Sequence, residues 1–414
     1  MKIIKKRDIF NYLLLITLCL YIFFGELIVG LTNLGIFKMA LACISILLFV
    51  ISLLRNKITK QDFNLYFGVF LILGIYIVWW GTELGNYNLF ITILYGYIMA
   101  KNIDKSIKIF KIIFIIQFIL VLYEVITQTF VYTEVASGII KSNIYNLEDS
   151  IDLFEETGFR AKGIFPGTLV ATSFIIYIAL IFRNNTKILF FNLVMALLVN
   201  GRLAIIIVLL TFILKYIKSL NLSINLKKIS NNIILLILIP FIIFIAFILL
   251  YSIIPNKMRD NLLSTFDFDS NSNSGRLYRM LEGFSVYLNQ YSISEKIFGK
   301  ANYEIFDIWN RPVPPEAEFM GILLDIGLIG LFIYLYFLYK IYSKKRDGLF
   351  NMNIKELGYN YTVVINLIGI FIYRHCLGNV RGAMFWFIVF SAIIEFNILK
   401  NKTNLYREKE SLYN

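Results

Sequence analysis

Residues 188–217 read ILFFNLVMALLVNGRLAIIIVLLTFILKYI. Wound as a single helix, this stretch would be about 45 Å long, too long for one upright crossing of a hydrocarbon core about 30 Å thick. Asn200-Gly201-Arg202 is the only polar interruption near its middle. We therefore read two short spans, 188–200 and 201–217, meeting at that break on the outer face. A lipid-exposed span must satisfy its own backbone, so helices are the expected elements.

Working outward, ten further apolar segments have comparable character: 9–29, 36–54, 63–80, 84–100, 108–130, 163–182, 233–254, 317–340, 359–375 and 382–399. The expectation is an all-α polytopic membrane protein, one integral domain over 1–414 with about twelve transmembrane helices. Composition agrees. The 414 residues are 58% hydrophobic and only 16% charged, with a mean hydropathy of +0.72. A soluble chain carries about a quarter charged residues, so a water-soluble enzyme, a disordered chain and a disulfide scaffold are excluded. Lys2, Lys5, Lys6 and Arg7 precede the first span, which lacks a small-residue cleavage site and is read as retained.

The net charge of +13 suggests nucleic acid until it is distributed over the loops. With the N-terminus inside, alternating loops place 26 of the 40 Lys/Arg on the cytoplasmic side and most acidic residues outside. That is the positive-inside pattern, with both termini cytoplasmic. The basic balance then serves topology and anionic lipid, not nucleic acid. Cys19, Cys43 and Cys376 are widely spaced and His375 is the one histidine, so no disulfide framework, metal-ligand set or other cofactor motif stands out.

Two external loops are long, 131–162 and 255–316, and long loops without a domain of their own are usually functional or disordered. In the second, Leu277, Leu281, Phe284 and Leu288 form one apolar stripe at helical spacing, which predicts a short amphipathic helix over about 275–290 with Ser274 as N-cap. Arg276 and Arg279 near its start suit an anion, since guanidiniums and a helix N-terminus both donate. The plain alternative is an interfacial helix whose arginines meet lipid phosphates. Arg202 at the hairpin tip either snorkels to the interface or faces inward toward a partner or substrate. Arg160 closes the first loop and by itself reads as a solvated charge. Glu316 and Glu318 stand at the mouth of the tenth span, as dipole partners or, for a carboxylate facing a hydroxyl, as a general base. Asp325 falls two turns deeper. Arg374, His375 and Arg381 bracket the last external turn.

Three of these elements occur in a familiar order: Asn200-Gly201-Arg202 between spans, Gly275-Arg276 opening a helical stretch that ends near Phe298-Gly299, and Glu316 to Gly330 entering a span. Together, over about 188–340, they resemble the O-antigen ligase and polymerase superfamily, which includes Wzy-type repeat-unit polymerases. The resemblance implies metal-independent, cofactor-free glycosyl transfer at the external face of a bacterial cytoplasmic membrane. Donor and acceptor would be undecaprenyl-diphosphate-linked oligosaccharides, with a flippase and a chain-length regulator as working partners. Arg202 and Arg276 would grip the diphosphate, with Arg160, Arg279 and Arg381 as further cations. Glu318 would be the hydroxyl base or acceptor-orienting group, with Glu316 beside it. Many ligases carry a histidine where this chain has Glu318, which favours the polymerase side. An oligosaccharide flippase or other polysaccharide transporter is the reading from another class.

Overall fold

The Asn200-Gly201-Arg202 break closes a helical hairpin. In the computed structural model of the protein, residues 6–32, 35–55, 60–80, 88–127, 129–131, 161–219, 271–300, 305–306, 312–313, 317–343, 368–369, 375–376 and 380–394 are described. Their helices, in chain order, are α1 (Lys6–Cys19), α2 (Gly25–Thr32), α3 (Gly35–Arg55), α4 (Lys60–Trp80), α5 (Asn88–Lys101), α6 (Ile103–Thr127), α7 (Thr168–Ile181), α8 (Thr186–Leu198), α9 (Arg202–Ser219), α10 (Asn271–Asn289), α11 (Ile293–Phe298), α12 (Glu318–Ser343) and α13 (Val380–Ile394). A π-helical stretch, Leu20–Phe24, joins α1 to α2. Among the described residues one two-residue antiparallel ladder, Ile305–Phe306 with Pro312–Val313, accompanies the helices.

Five stretches are long and apolar enough to cross a membrane: Phe10–Val29, Gly35–Ser52, Asp62–Trp79, Ile103–Thr127 and Glu318–Tyr339. Five shorter apolar helices accompany them. Ten of the twelve expected segments thus carry a described apolar helix. Segment 233–254 lies outside the described residues, as does 359–375 apart from Ile368, Gly369 and His375. The chain is a helical membrane protein, and its outer surface fits: on α3, Ile36, Met39, Ile46, Leu47 and Leu54 are all exposed. An apolar surface that large needs a nonaqueous cover.

Between α8 and α9 the chain turns through a Schellman closure. Asn200 takes φ 54°, its N–H donates to Leu197 O at 3.0 Å, and the Gly201 N–H donates to Ala196 O at 3.1 Å. Asparagine is one of the few residues that enters this left-handed conformation readily. Gly201 is needed for contact: a Cβ there would lie 2.8 Å from Thr172 Oγ1 on α7. At the other end of α8, the Asn185 side chain accepts from Ile188 N–H as a cap.

α12 is broken. Gly327 has φ 72° and ψ −165°, and the loop pair α10–α11 is fitted to the break. A Cβ on Gly327 would lie 2.3 Å from Ile297 O, and one on Gly299 would lie 2.3 Å from Asp325. Two of the carbonyls beside the break find other donors. Leu324 O accepts from Lys300 N–H at 2.9 Å and from the Tyr291 hydroxyl at 3.1 Å, and Ile326 O accepts from the Tyr76 hydroxyl at 2.7 Å.

The loop helix departs from expectation at its start. It begins at Asn271, so Ser274 lies within it and is not its N-cap. Its bundle-facing side is a different one from the leucine stripe. Gly283, Val286 and Tyr287 pack on Met320, Leu323 and Leu324, while Leu281 and Leu288 are 58% and 61% exposed. In lipid both sides of a helix can be apolar, so periodicity identifies a stripe without saying which way it turns.

Candidate functional site

Several helices end or begin at one end of the bundle. Trp79, near the end of α4, donates to Gly299 O at 3.1 Å. A Cβ on Gly382, at the start of α13, would lie 3.0 Å from Thr92 Oγ1, near the start of α5. Glu124, near the end of α6, binds the backbone just before α7. Gly201 meets Thr172 in the second turn of α7. Glu318, which opens α12, binds the turn before α13. Arg202 and Glu318 therefore lie at the same end.

Glu318 is 1% exposed. Its Oε2 accepts the His375 N–H at 2.6 Å; its Oε1 accepts the Cys376 N–H at 3.1 Å and also the Cys376 thiol. Burial, then the neighbouring Glu318 charge, pushes the Cys376 thiol well above its ordinary range, so it remains a donor. His375 Nδ1 lies 3.3 Å from Glu318 Oε2 but is poorly aligned, and neither ring nitrogen makes a hydrogen bond. The imidazole rests edge-on against Phe385 and Tyr334. Glu318 was expected as a hydroxyl base or orienting group. In this geometry its oxygens are committed to the 375–376 backbone, which makes it a clamp on the turn that leads to Arg381.

Tyr177 of α7 is fully buried, its hydroxyl lacks a hydrogen-bond partner, and it lies within electrostatic reach of Glu318, Cys376 and Arg381. Tyr334 of α12 senses the same Glu318 and Cys376. Tyr177, Glu318, Tyr334, His375 and Cys376 thus form a polar centre, with the half-buried Arg381 within electrostatic reach of Tyr177 and Cys376.

Of the other expected cations, Arg202 opens α9 and is half-buried. Arg279, also half-buried, shares the bundle-facing side of α10 with Gly283 and Val286. Arg276 lies in α10 three residues earlier, but its side chain is outside the described residues, as are Arg160, Glu316 and Arg374. Asp325 is buried two residues before the α12 break. Among the described residues, no three His, Cys, Asp or Glu side chains gather as a metal site.

The sequence reading passed over a second clamp. Glu124 Oε2 accepts the Lys162 and Gly163 N–H groups at 2.7 and 2.8 Å, and its Oε1 accepts Val131 N–H at 3.0 Å. Gln117 accepts Ile164 N–H at 2.8 Å and donates to Lys162 O at 3.0 Å. Lys162 is buried, its ammonium 5.0 Å from the Phe130 ring. The signal was available: Gln117 and Glu124 are polar residues two turns apart on one face of an apolar span. Tyr177 and Tyr334 carried no comparable signal among 26 tyrosines. No family model, curated protein or solved structure matches this chain.

Proposed function

We propose that the protein is a repeat-unit polysaccharide polymerase. It would join undecaprenyl-diphosphate-linked oligosaccharides at the external face of a bacterial cytoplasmic membrane, in a twelve-span topology with both termini inside. An acceptor sugar hydroxyl attacks the anomeric carbon of the donor. The glycosidic bond forms as the bond to the lipid diphosphate breaks, and the hydroxyl proton passes to the departing diphosphate. The leaving group carries about two to three negative charges, and fixed guanidiniums stabilise that charge as it develops. In this reading Arg202, Arg276, Arg279 and Arg381, with Arg160, bind diphosphate. Glu318 acts as a positioning residue for the turn that carries Arg381, and Glu316 remains an acceptor-side contact.

One observation carries the reading: half-buried arginines from three separate helices, Arg202, Arg279 and Arg381, belong to the bundle end where Glu318 clamps its turn. Several guanidiniums at one end of a membrane bundle suit a multiply charged anion, because each can donate two parallel hydrogen bonds to it. The test is to incubate purified protein with lipid-linked repeat units and look for a product ladder. Arg276→Ala is expected to abolish the ladder while the protein stays inserted and folded. Removal of one such donor typically costs about 10²–10³ in rate. Normal long-chain product from that variant removes the loop helix from the mechanism.

A ligase that transfers glycan to a different acceptor is the nearest variant. The transporter reading draws support from the break in α12, since discontinuous spans often line substrate sites in transporters. A deletion strain separates them. A polymerase leaves lipid-linked single units outside the membrane, whereas a flippase leaves them inside.

A further inference from the structure

We infer that the α10–α11 pair lies in the membrane interface, with its outward apolar stripe among the acyl chains of the leaflet. This does not depend on the polymerase reading.

The stripe comprises Leu281 and Leu288 on α10 and Ile293 and Ile297 on α11, with the Phe284 ring at its edge against Phe319 of α12. Leu288 is 61% and Ile293 79% exposed, in a pair whose other side packs on α12. Bulky aliphatic side chains on a loop bathed by water would be costly, so an occupant is required. The apolar windows of two helices bracket the depth. Gly299 packs against Ile326, and Ile326 lies about 20 Å along α12 from Tyr339, where that span's apolar window ends. Tyr76, bonded to Ile326 O, lies about 21 Å along α4 from Asp62, the opposite limit of that window. The nearer limits of the same windows, Trp79 and Glu318, lie about 5 Å from Tyr76 and about 12 Å from Ile326, so the turn of the pair sits roughly 5–12 Å inside that boundary.

The lipid-facing belt is also continuous with it. Beyond the break, α12 exposes Leu328, Phe332, Leu335 and Tyr339; before it, residues 317–327 are buried or nearly so, covered in part by α10–α11. The pair occupies the position that lipid occupies farther down the helix. Its charged groups fit the headgroup zone. Glu295 pairs with Lys300 and caps Ser292, and the Lys296 ammonium donates to Leu288 O. Interfacial helices bury an apolar face about 5–10 Å into this boundary.

The test uses full-length protein in phosphatidylcholine–phosphatidylglycerol vesicles. A nitroxide is attached to a cysteine at Leu281, Leu288 or Ile293 in turn, in a Cys43→Ala background, because Cys43 is exposed while Cys19 and Cys376 are buried. Leu335 serves as the lipid-facing control and Lys187 as the aqueous one. The gel-filtration profile and the Leu335 signal verify folding. All three labels should match Leu335, with an oxygen-to-nickel-chelate accessibility ratio several-fold above that at Lys187. Chelate access equal to Lys187 overturns the inference in favour of a water-facing patch. Low access to both reagents overturns it in favour of a protein cover, from a second copy or another partner.

Discussion

Two buried glutamates, Glu124 and Glu318, do similar mechanical work in different company. Each holds a distant backbone segment by two adjacent N–H groups, Lys162–Gly163 for Glu124 and His375–Cys376 for Glu318. Glu124 finds its remaining donor in the Val131 N–H, and Gln117 completes the same loop. Around Glu318 the company is ionisable: an imidazole, a thiol, two tyrosines and Arg381. The Tyr177 hydroxyl and the His375 ring nitrogens there remain without hydrogen bonds. Buried unsatisfied polar atoms are costly and uncommon. The first clamp is therefore a finished brace, whereas the second is kept at an energetic cost, which is where chemistry should be sought.

Removing the carboxylates tests the contrast most severely. Glu318→Ala leaves three buried donors without their acceptor and should cost about 3–5 kcal/mol, read as a lower melting temperature in detergent together with loss of polymer. An unchanged melt would show that the clamp is not formed in the membrane. The glutamine variants separate the roles at smaller cost. Glu124→Gln and Glu318→Gln each keep one acceptor oxygen and should destabilise by about 1–3 kcal/mol. Product-ladder assays should then find Glu124→Gln active and Glu318→Gln reduced about 100-fold, because the turn that positions Arg381 loosens and that donor is misplaced in the transition state. Equal activity would make both braces and nothing more. Gly163→Ala probes the first clamp alone. Its φ of 61° and a Cβ 2.4 Å from Gln117 Oε1 predict about 1–3 kcal/mol of destabilisation with activity retained per folded molecule. Cys376→Ser should matter least. It keeps a donor toward Glu318 and is expected to shift stability by less than about 1 kcal/mol, measured by the same melt.

Legibility followed the range of the forces involved. The break at Asn200-Gly201 was readable because a left-handed turn is a local property of those residue types. The apolar spans were readable because hydropathy sums over neighbours in sequence. The orientation of α10 was not, because Leu281 and Leu288 are equally at home against protein or lipid. Glu318 was noticed, yet its clamp was not, since its partners lie 57 and 58 residues away. Gln117 and Glu124 could have been found from their shared face alone. The Arg276 side chain lies outside the described residues, so its expected convergence with Arg202 is a matter for the product-ladder assay.

The break in α12 also bears on how the protein is assembled. An uninterrupted helix enters lipid with its backbone already satisfied, whereas this one relies on Tyr76, Tyr291 and Lys300 to take up the carbonyls it frees. Inserted alone, the segment would gain by straightening. Its bent form is stable only after the preceding loop pair and α4 have docked, so the shape of this span is decided late, by its neighbours, and not when it leaves the translocon.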